Sequence, residues 1–186
     1  VRLVRGCNSL AVSRLAMEFL ILTASRTKEV LDATWQEIDE VENLWVLPVE
    51  RTKTGREHRV PLTTRMKEIL SEAKSLSPHA ELVFSSPTTG RSLSYNTLLH
   101  VLQKRIGSEA TVHGFRSSFK DWAAETTNFL NEVSEMALSH KISNPVEAAY
   151  RRGDLLEKRR AFMNAWEDFL CNPGKNIVAV DFKSQR

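Results

Sequence analysis

Glycine and proline are scarce in this chain, 7 and 6 among 186 residues. That scarcity excludes collagen-like and low-complexity disordered classes. Cysteine is scarcer still. Cys7 and Cys171 stand near opposite ends and form no Cys-x-x-Cys, so neither a disulfide framework nor a zinc site is indicated, and the pattern suits a reducing cytoplasm. The 5 histidines fall into no His-Glu-x-x-His or other paired metal spacing. No apolar run reaches the roughly 20 residues that a membrane helix needs, and no signal peptide is visible. The chain begins at Val1 without a methionine and is read as a piece of something longer, cut near a domain boundary.

What is present suits one folded domain. A 41% hydrophobic content over 186 residues is enough for one core. The formal charge is +3 and the isoelectric point about 9.0, but the basic residues are unevenly placed. They gather in 51-RTKTGREHR-59 and 151-RRGDLLEKRR-160. Such clusters suit a polyanion, although a charge cluster is commonly just a solvated face. Tyr150, one of two tyrosines with Tyr95, is followed at once by Arg151 and Arg152.

Periodicity predicts a helix over residues 10–24 and a short one over 27–33. Strand-like segments follow at 34–38, 44–48 and 57–62, reading as a small meander. Helical patterning returns at 64–76, and then come an extended piece at 82–86 and a turn at 87–90. The second half reads as helices at 94–106, 114–126, 130–139, 145–152 and 155–171. Asn144 is placed to cap one of these, with Pro145 at its first position and Gly153 at its exit. Asp154 and Glu157 have the spacing of a capping box for the last, whose apolar stripe is Leu155, Phe162, Trp166 and Phe169. In the tail, 176-NIVAV-180 could add a strand to its own sheet or a neighbour's, or simply fray. The fold class expected is α+β, mainly helical, with a small three-stranded antiparallel sheet.

Five places could carry chemistry, and each alone has an ordinary structural explanation. Arg26 and Glu29 are spaced to pair across one helical turn. Lys53 sits in a basic hairpin, and His113 and Arg116 lie at a helix start. His140 follows an apolar helix, where it could interact with the dipole. Tyr150 could be half-buried. Together they are complete for one reaction. Two arginine forks fit the non-bridging oxygens of a phosphodiester. Two histidines and a lysine can donate hydrogen bonds or exchange protons. A tyrosine hydroxyl can attack phosphorus once its proton is drawn off. No metal ligand is needed, because cationic side chains can balance the growing charge.

The ordered series Arg26, Lys53, His113-x-x-Arg116, His140 and Tyr150 resembles the catalytic domain of the tyrosine recombinases, or phage integrases. The likeness is nearest to prophage and genomic-island integrases of the satellite-phage type. It is carried by 23-TASRTKEVL-31, 50-ERTKTGREHRVPL-62, 113-HGFRSSFKDWAAE-125, 138-LSHK-141 and 148-AAYRRGDLLEKRR-160. The resemblance implies that Tyr150 is the nucleophile, leaving a 3′-phosphotyrosine and a free 5′ hydroxyl. It implies that Arg26, Arg116 and His140 hold the scissile phosphate and that Lys53 is the general acid. His113 would move the tyrosine proton, and Glu29 would buttress Arg26. Arg51, Arg56, Arg151 and Arg152 are candidates for DNA contact. Ala24 departs from the glycine of many relatives, and a slight backbone adjustment is expected there.

The implied partners are double-stranded DNA at attachment sites, a directionality factor and a host DNA-bending protein. The implied assembly is a homotetramer on DNA and a monomer in isolation, with no metal, no cofactor and no membrane, in a bacterial cytoplasm near the nucleoid. The expected organisation is a linker over 1–9, the catalytic domain over 10–171 and a tail over 172–186, exchanged between protomers. Two other readings are weighed: an enzyme like the type IB topoisomerases, and a helical DNA-binding module without catalysis.

Overall fold

Apolar residues dominate positions 12 to 22, so helix α2 (Ala11–Thr23) is buried along most of its length, with Arg14 and Glu18 one turn apart on a single polar strip. The structure, a computed structural model, describes residues 1–140 and 153–172. Its core runs from Phe19, Leu20 and Leu22 of α2 outward to Trp45, Phe84 and Phe119. The stretch 1–9, expected as a linker, contains a short helix α1 (Arg2–Gly6) with Val4 buried. Its Arg5 reaches the buried Glu18 of α2 at 2.8 Å, and Arg65 of α4 (Thr64–Leu76) reaches the same carboxylate at 2.8 Å. Two guanidinium partners offset the cost of burying that charge.

Helix α3 (Thr27–Leu31) leads into an antiparallel sheet of β1 (Ile38–Asp39), β2 (Leu44–Leu47) and β3 (His58–Pro61), in that order. Trp45 faces Ile38 on one side and Val60 on the other, and Leu47 pairs with His58. The second and third strands lie where the sequence predicts them. The first does not: Trp35–Glu37 is a 3-10 turn, and the strand is only Ile38–Asp39. The cause is Glu37, which closes a capping box on Thr34 and receives the Trp45 indole N–H at 2.9 Å. A buried carboxylate needing local donors overrides the strand-like composition. The extended piece at 82–86 forms no strand of its own, and its bridges are Thr34–Leu82 and Ser85–Ser92.

The later helices are α5 (Asn96–His100), α6 (Gly114–Thr126), α7 (Asn131–Ala137) and α8 (Leu156–Cys171), with α5 continuing as a π-helical turn over Val101–Arg105. Phe119 and Trp122 of α6 interlock with Phe162 and Trp166 of α8, at centroid separations of 5.0 Å for Phe119–Phe162 and 4.9 Å for Trp122–Trp166. The apolar stripe read from the sequence is thus a packing face, although Phe169 remains 44% exposed. The expected Asp154–Glu157 capping box is not formed. Leu155 occupies the cap position in a left-handed conformation, and no side chain caps the helix. Asp154 accepts instead from Arg59 Nε at 2.9 Å and from the buried Arg159, while Glu157 pairs with Arg160 at 3.1 Å. A buried guanidinium holds a carboxylate more firmly than the exposed backbone N–H of a helix start. The predicted helix at 145–152, with Asn144 and Pro145, lies outside the described residues, as do residues 173–186 of the tail.

Candidate active site

The first corner of the site is made where α2 stops. Ala24 adopts a left-handed conformation with φ 49°, a region that glycine enters without strain. The chain then turns through Ser25 into the extended Arg26, the N-cap of α3. Glu29 accepts the Arg26 backbone N–H at 2.8 Å with one oxygen and the Arg26 guanidinium at 2.7 Å with the other. One carboxylate thereby caps the helix and aims the arginine, whose side chain is 23% exposed and open to the cleft.

Arg116, on the first turn of α6, is buried. Its Nη1 donates to the Ala24 carbonyl at 2.5 Å and its Nη2 to the Leu138 carbonyl at 2.7 Å. Burial, and next the neighbouring Arg26 cation, push the Arg116 guanidinium down to about 10. His113 caps the same helix and is exposed at the mouth.

His140 is brought in by a turn that the sequence does not advertise. After α7, Ser139 takes φ 52°, the Ser139 N–H bonds the Met136 carbonyl at 3.1 Å, and the His140 N–H bonds the Glu135 carbonyl at 3.0 Å. This pair of bonds is a Schellman termination, which folds the residue after the left-handed one back over the last turn. The His140 ring consequently meets Glu135 through Nδ1 at 2.6 Å and Arg116 Nη2 through Nε2 at 3.3 Å. Lys120 of α6 pairs with the other Glu135 oxygen.

Lys53 stands exposed on the connection between β2 and β3. The root of that connection is fixed by Arg51, which pairs with Glu37 and donates to the Glu29 carbonyl at 2.6 Å. Its tip touches the His140 turn, where the Thr54 and Ser139 hydroxyls lie 3.2 Å apart. Beneath, buried His58 of β3 hydrogen-bonds the backbone of Ala137. Burial first, then the Arg159 cation, push this imidazole down to about 3, so it is a neutral strut between sheet and α7.

These elements enclose a cleft of about 670 Å³ lined by Arg26, Lys53, His113, Arg116, Lys120 and His140 among others. Five of the six residues predicted to act together converge on it. The sixth, Tyr150, lies outside the described residues, with Arg151 and Arg152. Arg56 is exposed beside Lys53, whereas Arg51 has internal partners. Among the described residues no group of three or more His, Cys, Asp or Glu is placed to hold a metal ion. No helix among them is long and apolar enough to cross a membrane.

A cationic cleft of this make-up, on this framework, matches a known group. The model of the phage integrase family covers residues 2–154. The chain belongs to the phage integrase family. Among integrases it is 35% identical over 152 residues to the prophage integrase IntA of Escherichia coli (strain K12), a match covering 81% of this chain and 37% of IntA. With the integrase of Enterobacteria phage P4 it shares 28% identity over 176 residues, covering 86% of this chain and 40% of that protein. The chain thus spans well under half the length of these relatives. Among solved structures, the lambda integrase catalytic core superposes with a TM-score of 0.57 at 23% identity, over 72% of this chain and 86% of that one. A lambda integrase tetramer bound to a Holliday junction gives 0.55 at 21%, over 77% and 43%. These likenesses show the integrase fold: a mainly helical α+β domain with a three-stranded antiparallel sheet.

Among the residues in and beneath this cleft that escaped the sequence reading are Glu135, Lys120, Thr54 and His58. Lys120 stands four residues after Arg116, one helical turn on the same face, which is a usable signal. Glu135 is five before His140, a spacing that brings side chains together only once the Schellman turn is known.

Proposed function

We propose that this chain is the catalytic domain of a site-specific DNA recombinase, which cleaves and rejoins strands through a 3′-phosphotyrosine. The observation that carries the reading is the convergence of Arg26, Arg116, His140, His113 and Lys53 on one cleft. Arg26 and Arg116 clamp the scissile phosphate and meet the charge that develops on its oxygens. Lys53, exposed on its connection, protonates the leaving 5′ oxygen, and His113 at the mouth moves the proton of the attacking hydroxyl. Tyr150 is the nucleophile. It is four residues before Asp154, so at most about 14 Å of extended chain separates it from the Arg59–Asp154–Arg159 anchor. The bond energy stays in the phosphotyrosine, so rejoining needs no nucleotide.

In this reading the substrate is double-stranded DNA at an attachment site, engaged in part through Arg56, Arg151 and Arg152, with Arg51 bracing the Lys53 connection. The assembly on DNA is a homotetramer that forms from monomers, with the 172–186 tail exchanged between protomers. A directionality factor and a host DNA-bending protein are its accessory partners, and the nucleoid of a bacterial cytoplasm is its place of work. The organisation of linker, catalytic domain and tail over 1–9, 10–171 and 172–186 belongs to the same proposal.

A suicide duplex, nicked near an attachment-site core so that rejoining is blocked, tests the reaction. Wild type should form a denaturation-resistant protein–DNA adduct and Tyr150→Phe none, with DNA affinity hardly changed. An adduct that survives in Tyr150→Phe would remove Tyr150 from the mechanism. Binding without any adduct from wild type would favour a DNA-binding module over an enzyme. Relaxation of supercoiled DNA by a monomer would favour the topoisomerase-like reading.

A further inference from the structure

In the recombinase reading His140 joins Arg26 and Arg116 in holding the scissile phosphate, which a ring nitrogen does by donating a hydrogen bond to a phosphate oxygen, yet in the structure its ring is committed elsewhere. Nδ1 faces Glu135 Oε2 at 2.6 Å, and Nε2 faces Arg116 Nη2 at 3.3 Å. An ionised carboxylate only accepts hydrogen bonds, and a guanidinium only donates them. Both contacts therefore specify one neutral form, with the proton on Nδ1 and a bare lone pair on Nε2. In that form Nε2 has nothing to donate.

We propose that Glu135 is a positioning residue that holds His140 in this form and supports a second proton, taken from solvent onto Nε2, when a phosphate oxygen displaces the Arg116 N–H as the ring's partner. The proposal rests on the recombinase reading of the cleft. Its geometry is fixed from both sides. The Schellman turn sets the ring over Glu135, and Lys120 holds the far carboxylate oxygen while donating to Ser134 Oγ at 2.8 Å. Burial pushes the Glu135 carboxyl up, but the hydrogen bonds from Lys120 and His140 outweigh it and hold the group below the ordinary range. The carboxylate is thus ionised and ready to balance an imidazolium.

Arg26, Lys53, His113, Arg116 and Lys120 line the cleft with Asp121, a mainly cationic wall that draws a phosphate to the ring, and the phosphate oxygen then gives a proton on Nε2 its acceptor. The His140 and Glu135 side chains are 41% and 30% exposed, so water can deliver the proton.

The test reads the two ring nitrogens directly. In chain labelled with 15N-histidine, with His140→Asn used for assignment, long-range proton–nitrogen spectra near pH 8 should show Nδ1 protonated and Nε2 bare. Glu135→Ala should lower the Nδ1-protonated fraction, since only the 3.3 Å Arg116 contact then favours that form. A fraction equal to that of wild type would overturn the positioning role. The second arm measures adduct formation on the suicide duplex between pH 6 and pH 8.5. Glu135→Gln matches the shape of Glu135 and guards against an unfolded Ala variant. It should fall within about threefold of wild type at pH 6 and on the order of tenfold or more behind at pH 8.5. A deficit equal at every pH would mean that Glu135 acts on structure alone, and would overturn the second-proton step. Absence of any wild-type adduct would count against the recombinase reading itself, while the nitrogen spectrum would still decide what Glu135 does to His140.

Discussion

Arg116 should make the stability of the fold depend on an oxyanion, and the size of the effect can be worked from its surroundings. The residue is 6% exposed, and its described partners are two carbonyls and a histidine nitrogen, not a carboxylate. Burial and the Arg26 cation lower its pKa from the ordinary guanidinium value to about 10. At about 1.4 kcal/mol per tenfold change, the cationic form carries about 3 kcal/mol of unfavourable energy. An anion between Arg26 and Arg116 supplies the missing countercharge. Recovery of half that amount, about 1.5 kcal/mol, corresponds to a ligand present at roughly ten times its Kd. For a domain of this size it should raise Tm by about 3–6 °C. The assay is thermal unfolding in sodium sulfate against sodium chloride at matched ionic strength, with Arg116→Gln as the control. Sulfate also stabilises proteins generally, because it is excluded from their surfaces. The prediction is therefore the difference: the gain of wild type should exceed that of Arg116→Gln by those few degrees. Equal gains would refute the argument that the buried cation is short of a counterion.

Two further outcomes follow from how other charges are placed. Arg51→Ala should destabilise the fold by about 1–3 kcal/mol in urea unfolding, since Glu37 and the Glu29 carbonyl lose their donor, with little change in the salt dependence of DNA binding. Exposed Arg56→Ala should do the reverse, leaving stability within about 0.5 kcal/mol and lowering the salt slope of binding by about 1. An exchange of these outcomes would show that the internal and external roles are misassigned. Glu18 sets an acid limit. Burial alone would raise its carboxyl, but the bonds from Arg65 and Arg5 hold it below the ordinary 4.5. The folded form then binds its proton more weakly than the unfolded chain, so its contribution is present above 4.5 and is lost as pH falls below it. Glu18→Gln should lower Tm at pH 7 and flatten the fall of Tm between pH 5 and pH 3. An unchanged fall would refute the role.

The sequence yielded the elements whose signal is periodic and, from chemical type in a fixed order, Arg26, Lys53, His113, Arg116 and His140, which line one cleft. Helices α2, α4, α6 and α8 each place several buried residues at helical spacing, and the structure has them within a few residues of expectation. What stayed hidden depends on partners distant in sequence. Asp154 has the spacing of a cap, and only the fold reveals that Arg59, 95 positions away, takes its carboxylate. Trp35 has the composition of a strand, and only the burial of Glu37 against Trp45 and Arg51 shows why the chain turns there. Arg51 and Arg56 are equally basic in sequence, yet one is consumed within the protein and the other is exposed. His58 looks like one more basic residue of the hairpin, and its burial makes it a neutral strut.

The manner in which Arg116 is held bears on the proposal that the site takes a phosphate. Its two carbonyl partners belong to Ala24 and Leu138, the residues at which α2 and α7 end. Helix C-termini carry a partial negative charge, roughly half an elementary charge each for a full helix. The guanidinium is therefore gripped by two dipole ends that orient it and offset part of its burial without neutralising it. A carboxylate in the same place would bind it more tightly, but would also have to be displaced, or would repel the incoming anion. Arg26 is treated differently: Glu29 takes one of its nitrogens from behind, and the rest of the fork is left toward the cleft. Both left-handed residues of the site, Ala24 and Ser139, lie at these helix ends, where the strained backbone aims the carbonyls and the chain beyond them. The cost of that backbone falls on stability, and the gain is a pair of guanidinium groups whose positive charge is left toward the cleft, as the proposed phosphate clamp requires.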